Sequence, residues 1–135
     1  MTRALDTHLD RHASKALGVF RIIIGLLFTQ HGTSKLLGWP STDTGRVPVG
    51  TWPFWWAGII ETVIGLLLLL GIFARVAAFI GAGEMAFAYF TQHQPAAFWP
   101  IQNGGELAVL YCFALLLIVF AGAGAFAVGR ARSTA

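Results

Sequence analysis

Four apolar stretches, each near bilayer length and each closed by glycine, proline or arginine, leave this chain few folds other than a bundle of membrane helices. The first runs from about Lys15 to Leu37 and stops at Gly38, Pro40 and Gly45. The second runs from about Pro53 to Phe73, the third from Arg75 to about His93 ahead of Pro95 and Pro100, and the fourth from about Gly104 to Val128, before Arg130 and Arg132. At 1.5 Å of rise per residue, about 20 helical residues cross a hydrocarbon core of ~30 Å. With 135 residues there is room for one domain only, spanning 1–135, and a composition of 56% hydrophobic against 11% charged residues is far from soluble usage. The link around Gly71 to Arg75 is so short that the second and third helices must form an antiparallel hairpin. The sequence therefore predicts an all-α, integral membrane, up-down-up-down four-helix bundle.

Orientation follows from the basic residues beside the span ends, because Lys and Arg are retained on the cytoplasmic side. Arg3, Arg11, Lys15, Arg75, Arg130 and Arg132 share one side, and Lys35 and Arg46 share the other. Both termini are thus expected in the cytoplasm. Asp6 and Asp10 interrupt the basic N-terminus and no small-x-small cleavage site comes after it, so the first helix reads as an uncleaved anchor. Trp39, Trp52, Trp55, Trp56 and Trp99 then fall at the outer interface, as an aromatic belt or as the entrance for a flat ligand. The net charge of +3 does not indicate nucleic acid, because the basic residues flank apolar segments and form no patch interleaved with aromatic residues. Cys112 is the single cysteine, which excludes an intramolecular disulfide, a CxxC pair and a multi-cysteine metal site; it reads as inert packing.

The polar residues inside the spans are the informative ones. Arg21, Gln30, His31, Glu61, Glu84, His93 and Glu106 fall within them, and Lys35 lies near the end of the first. A charge at the centre of a membrane helix costs about 2.5 to 3.5 kcal/mol, so these groups should face one another or be neutral. Glu61 and Glu84 sit ~12–14 Å from the interfaces where their helices begin. Arg21, rising from the inside, is expected to reach Glu84 or Glu61, while His31 and Lys35 descend from the outside, giving an interhelical charge ladder.

Arg21, Gly25, Phe28, Gly32 and Lys35 share one stripe of the first helix, Gly58, Glu61 and Gly65 one of the second, and Gly81, Glu84 and Ala88 one of the third. Small residues beside a charge let helices approach closely. Such groups act either as register-fixing pairs or, since the titratable groups outnumber simple pairs, as a proton relay or polar ligand pocket. His31 and His93 lie at similar depth, yet no HxxxH or ExxH motif accompanies them, so no metal site is expected and haem is disfavoured. Tyr89, Gln92, Gln94, Gln102 and Asn103 gather at the outer rim, suited to a ligand carbonyl or to helix capping; Asn103 with Glu106 has capping-box spacing.

Arg21-Ile-Ile-Ile-Gly25, His31-Gly32 and Lys35 resemble the first helix of the DoxX family. So do Glu61 with Gly65, the turn from Leu70-Gly71 to Arg75-x-Ala77-Ala78, Met85-Ala86, Asn103-Gly104-x-Glu106 and Gly122-x-Gly124. Their order and spacing cover most of the chain; Ala125 to Arg130 depart from the Ser-Leu-Asp ending of many members. The resemblance implies a four-helix protein of the prokaryotic cytoplasmic membrane. The family includes a subunit of an archaeal thiosulfate:quinone oxidoreductase and mycobacterial proteins associated with oxidative-stress enzymes. It singles out Arg21, His31, Lys35, Glu61, Glu84, Asn103 and Glu106.

Two functions are expected on these grounds. One is a redox-associated subunit that binds a quinone or a small polar ligand in an outer-half pocket, with Arg21, His31, Lys35, Glu61, Glu84, His93, Asn103 and Glu106 as the ligand-binding or proton-handling candidates. The other is a membrane scaffold for a soluble oxidoreductase, its charges being structural pairs. Quinone is the cofactor in view, and the partners in view are the lipid bilayer, an oxidoreductase and a second copy of the chain. The sequence leaves open whether the chain is an enzyme. A transporter is disfavoured, because four short helices give little room for alternating access and no inverted repeat is evident.

Overall fold

A computed structural model describes residues 2–129. Among them the chain is helical and without strands: α1 (Thr2–Asp10), α2 (Ala13–Leu37), α3 (Phe54–Leu70), α4 (Ala74–Ala88), α5 (Pro100–Asn103) and α6 (Glu106–Ala121). A single π-helical turn, Tyr89–His93, continues α4. Of these, α2, with 25 residues, is the one that is long and apolar enough by itself to cross a membrane; α3 and α6 are shorter apolar helices. The expected basic stops Arg130 and Arg132 lie outside the described residues.

The tightest contact is between α2 and α3, and it rests on a pattern present in both. Gly25-x3-Thr29-x2-Gly32 on α2 is matched by Gly58-x3-Thr62-x2-Gly65 on α3. The helices run past each other in opposite directions, so Gly25 meets Gly65 and Gly32 meets Gly58. A Cβ added to Gly25 would lie 2.7 Å from the Leu69 nitrogen and 2.9 Å from the Gly65 carbonyl oxygen, and one added to Gly32 would lie 2.7 Å from the Gly58 oxygen. Each threonine hydroxyl turns back onto its own helix, Thr29 donating to Gly25 O at 2.8 Å and Thr62 to Gly58 O at 2.7 Å. Apolar side chains gain little by leaving lipid for a protein interior, so close backbone approach at small residues is what joins such helices. The same glycine and threonine spacing thus serves both sides of the contact.

The α3 to α4 turn closes with a Schellman motif. Gly71, with φ 71°, takes the left-handed position, Ile72 N donates to Leu67 O and Gly71 N to Leu68 O. α4 then packs antiparallel to α6. A Cβ on Gly81 would touch Leu115, and Arg75 at the start of α4 donates to the carbonyls of Val119 and Phe120 at the end of α6. The core between these layers includes Phe28, Ile64, Leu68, Ala77, Ala78, Met85, Tyr111, Leu115 and Ile118. The polar stripes lie against it: Arg21, Gly25, Phe28 and Gly32 of α2 and Gly58, Glu61 and Gly65 of α3 are all buried.

Two expectations from the sequence need correction here. The last helix does not continue to Val128 but stops at Ala121, where Gly122 adopts φ 92° and ψ −168° and donates its N–H to Ile118 O. Residues 122–129 fold across this end of the molecule instead, with Ala125 N bound to Ser14 O and Val128 N to Leu70 O, each at 2.8 Å. Their carbonyls are needed elsewhere. Arg21, expected to meet Glu61 or Glu84, is fully buried among them: Nε donates to Ala123 O at 2.8 Å, Nη1 to Leu68 O and to Leu69 O, and Nη2 to Ala125 O and Phe126 O at 3.0 Å. The guanidinium gathers carbonyls from the end of α3 and from the segment after α6, where the dipole of α3 also favours a cation. No carboxylate is required to hold it.

Candidate functional site

Toward the opposite end of the molecule lie the glutamates. Lys35, in the last turn of α2, extends to Glu61 on α3, and its Nζ lies 2.6 Å and 2.7 Å from the two carboxylate oxygens. The contact is possible because a Cβ on Gly58 would already touch Lys35 and Leu36, so α3 exposes only backbone there. Glu61 is buried and the Lys35 side chain about a quarter exposed. In such surroundings an ion pair of this geometry holds its members in place more than it adds net stability.

Glu84 projects from α4 toward the same space. Both of its carboxyl oxygens are buried, and neither has a hydrogen-bond partner among the described residues. Most buried polar atoms are partnered, so an orphaned carboxyl calls for an explanation. Beside it is a cavity of about 360 Å³ whose lining includes Lys35, Glu61, Glu84, His31, His93 and Tyr111, with Phe28, Phe54, Phe87 and Leu107 as its apolar walls. That volume lies within the ~300–1,000 Å³ range of small-molecule sites. A larger hollow of about 580 Å³ lies at the other end. Its charged side chain is Arg75, already bound to the α6 carbonyls, so the chemistry is concentrated in the smaller cavity.

Several local features aim side chains into this cavity. The π-helical turn, closed by Gln94 N donating to Tyr89 O at 2.9 Å, precedes Pro95, which has no N–H to continue a helix. The wider turn rotates its own last residues relative to α4 and brings Gln92 and His93 to the lining. His93 Nδ1 lies 3.2 Å from Asn103 O, which fixes the ring. His31 meets the Tyr111 ring edge-on, with centroids 5.6 Å apart, and Tyr111 meets Phe28 in the same manner.

The candidates named from sequence thus separate into three groups. Lys35, Glu61, Glu84, His31 and His93 come together at the cavity. Arg21 stands apart, at the other end of α2. Asn103 organises the loop between α4 and α6 and does not cap α6: its Oδ1 accepts from Gly105 N at 2.8 Å and its Nδ2 donates to Ala97 O at 3.0 Å, while Gly105 occupies the cap position without any side-chain bond. The capping box expected of Asn103 and Glu106 is therefore absent, because the helix begins at Glu106 itself. Glu106 is exposed.

Tyr111, Phe28 and the two rim phenylalanines, Phe54 and Phe87, are site residues that the sequence did not single out. Tyr111 had a signal, a phenol shortly past Glu106 in an otherwise apolar run. The aromatic walls are phenylalanine and tyrosine; the tryptophans lie outside the lining, and Trp39, Trp52, Trp56 and Trp99 are largely exposed. No group of three histidine, cysteine or acidic residues suited to a metal ion occurs among the described residues.

Comparison with known proteins agrees with the residue pattern. The DoxX family model matches residues 16–94. An uncharacterized protein of Haemophilus influenzae is 45% identical over 124 residues, covering 89% of this chain and 92% of that protein. An uncharacterized membrane protein of Mycobacterium tuberculosis is 25% identical over 128 residues, covering 84% of this chain and 78% of that one. No solved structure matches significantly. The match over more than half of the chain, and the relative aligned along nearly all of its length, carry the identification: the chain belongs to the DoxX family of membrane proteins.

Proposed function

We propose that the protein is a four-helix, up-down-up-down bundle of the prokaryotic cytoplasmic membrane, with both termini inside. In this reading it binds a quinone or a small polar ligand in the cavity at the outer end and serves as a redox-associated subunit. One observation carries the ligand site: the Glu84 carboxyl is buried without a partner among the described residues, beside a cavity of about 360 Å³ that already contains a closed Lys35–Glu61 pair. A chain that needed only structural pairing would have no reason to keep a third ionisable group there, given its cost in lipid. The redox association rests on the family resemblance. Protein purified in mild detergent should yield a bound small molecule on extraction and mass spectrometry. Added quinone should also raise the melting temperature of the wild type but not of Glu61→Gln. Absence of any extracted ligand, together with no thermal shift, would overturn this reading.

A second reading has its own support. Arg21, Arg75 and Lys35 are all engaged by direct partners, as expected of a scaffold whose charges fix helix register and whose role is to anchor a soluble oxidoreductase. Glu84 is the group that this reading leaves without a role. In the scaffold case Glu84→Gln would change neither ligand content nor the activity of any associated enzyme.

A further inference from the structure

We propose that the polar group recognised in the cavity is a protonated amine, carried on a lipophilic body. This rests on the reading of the cavity as a ligand site and assigns the chemistry of its occupant.

The charge count of the lining is the starting point. Its permanent cation is Lys35, its acids are Glu61 and Glu84, and its two imidazoles, His31 and His93, make no hydrogen bond to Glu84. Lys35 is closed on both oxygens of Glu61, and Arg21, further back on α2, is bound to carbonyls at the far end. One carboxyl is left over, and both of its oxygens are buried and without a partner among the described residues. A carboxyl in apolar surroundings is either neutral or, when ionised, in need of an opposite charge and hydrogen-bond donors. An ammonium group supplies both to the ionised form, having N–H donors and no acceptor, whereas a quinone carbonyl, which only accepts, can bond only the protonated acid.

The walls fit the rest of such a molecule. Phe28 and Tyr111 present aromatic rings beside the acids, and a ring face attracts a cation within ~6 Å of its centroid. Phe54, Phe87 and Leu107 line the cavity yet are 44%, 49% and 51% exposed, so they stand at its mouth. The cavity therefore opens where lipid chains would lie, and an amphiphile can enter from the bilayer with its nitrogen leading toward Glu84. The nitrogen belongs either to a free amine or to a lipid headgroup bearing a primary ammonium.

The test uses the full-length protein in detergent, titrated with N-octylbenzylamine, with the neutral N-octylbenzamide of nearly the same shape, and with a short-chain quinone. Tryptophan fluorescence and thermal shift read the binding. The amine should bind at least tenfold more tightly than the amide. Glu84→Gln should remove that preference, and Glu106→Gln, at the exposed start of α6, should keep it. Because the amine-to-amide ratio is measured first on the wild type, the outcome does not depend on the variant folding. Equal binding of amine and amide overturns the proposal. Tight quinone binding with no amine preference overturns it too, while leaving the cavity as a ligand site; failure of all three ligands removes both readings. Repeating the titration in bilayers with and without phosphatidylethanolamine separates the sources. Competition by that lipid supports a headgroup, and undiminished amine binding supports a free amine.

Discussion

Lys35 and Glu61 join α2 to α3 by a two-pronged contact, the ammonium nitrogen lying 2.6 and 2.7 Å from the two carboxylate oxygens. The pair sits four residues along α3 from Gly65 and next to Gly58, at one end of the glycine and threonine contact, so it also limits how α3 can slide along α2. Removing one member leaves the other charge unpaired in apolar surroundings. We expect Lys35→Met to destabilise the protein by roughly 3 kcal/mol, the lower end for a buried pair because Lys35 is partly exposed. The double variant Lys35→Met/Glu61→Met should recover most of that loss. Thermal or denaturant unfolding of the wild type, both single variants and the double variant in detergent gives the coupling directly, and a double variant as unstable as the sum of the singles would refute the pairing.

Arg21 has a different role, as a clamp on carbonyls from two places in the chain, Leu68 and Leu69 at the end of α3 and Ala123, Ala125 and Phe126 after α6. Arg21→Met should cost roughly 3–5 kcal/mol, since it strands buried acceptors and removes a charge favoured at a helix C-terminus. Lysine cannot reproduce a planar fork of donors, so Arg21→Lys should rescue only part of the loss. The wild-type amine or quinone response at the other end should be unchanged in whichever Arg21 variant folds. A ligand response that disappears with Arg21→Lys would place the guanidinium in the site after all.

At the α2–α3 contact, Gly25→Ala and Gly32→Ala each drive a methyl group against the backbone of α3. Both should destabilise by roughly 1–3 kcal/mol, the usual cost of overpacking. Gly83, on α4, has nothing within 4 Å of an added Cβ. Gly83→Ala should be neutral or stabilising by up to ~1 kcal/mol through helix propensity. Comparable losses at Gly83 and Gly25 would mean that the helices are not in backbone contact where described.

What the sequence makes legible divides along physical lines. The helical stretches and the buried stripe through Arg21, Gly25, Phe28 and Gly32 follow from periodicity, which is a local property of the chain. The gathering of Lys35, Glu61, Glu84 and His31 is foreseeable because each helix can be assigned a depth. The partner of Arg21 is not foreseeable, because pairing charges by sign ignores the backbone carbonyls that helix ends expose, and three of its five acceptors, on Ala123, Ala125 and Phe126, appear only once α6 stops at Ala121 and the chain folds back. Asn103 departs from expectation for a related reason. The spacing to Glu106 suits a capping box, but Gly104 at φ 71° and the aromatic face of Tyr89 beside Gly105 turn the loop the other way.

The orientation of the molecule in the membrane allows a prediction independent of any ligand. The end carrying Arg3, Arg11, Lys15 and Arg75 is read as cytoplasmic, and the end carrying Lys35, Arg46 and the five tryptophans as external. In a Cys112→Ser background, Asp43→Cys in the loop between α2 and α3 should react with a membrane-impermeant maleimide on intact spheroplasts. Thr7→Cys on the exposed α1 should react only after permeabilisation. Both positions are exposed, so a lack of labelling cannot be ascribed to burial. Because α3 and α4 are joined by a short turn, Phe73→Cys should behave like Thr7→Cys if an even number of crossings separates them, and its 75% exposure makes it reactive wherever the reagent reaches. Labelling of Phe73→Cys on intact spheroplasts would require α2 and α3 not to be two successive crossings, and would overturn the bundle with both ends inside.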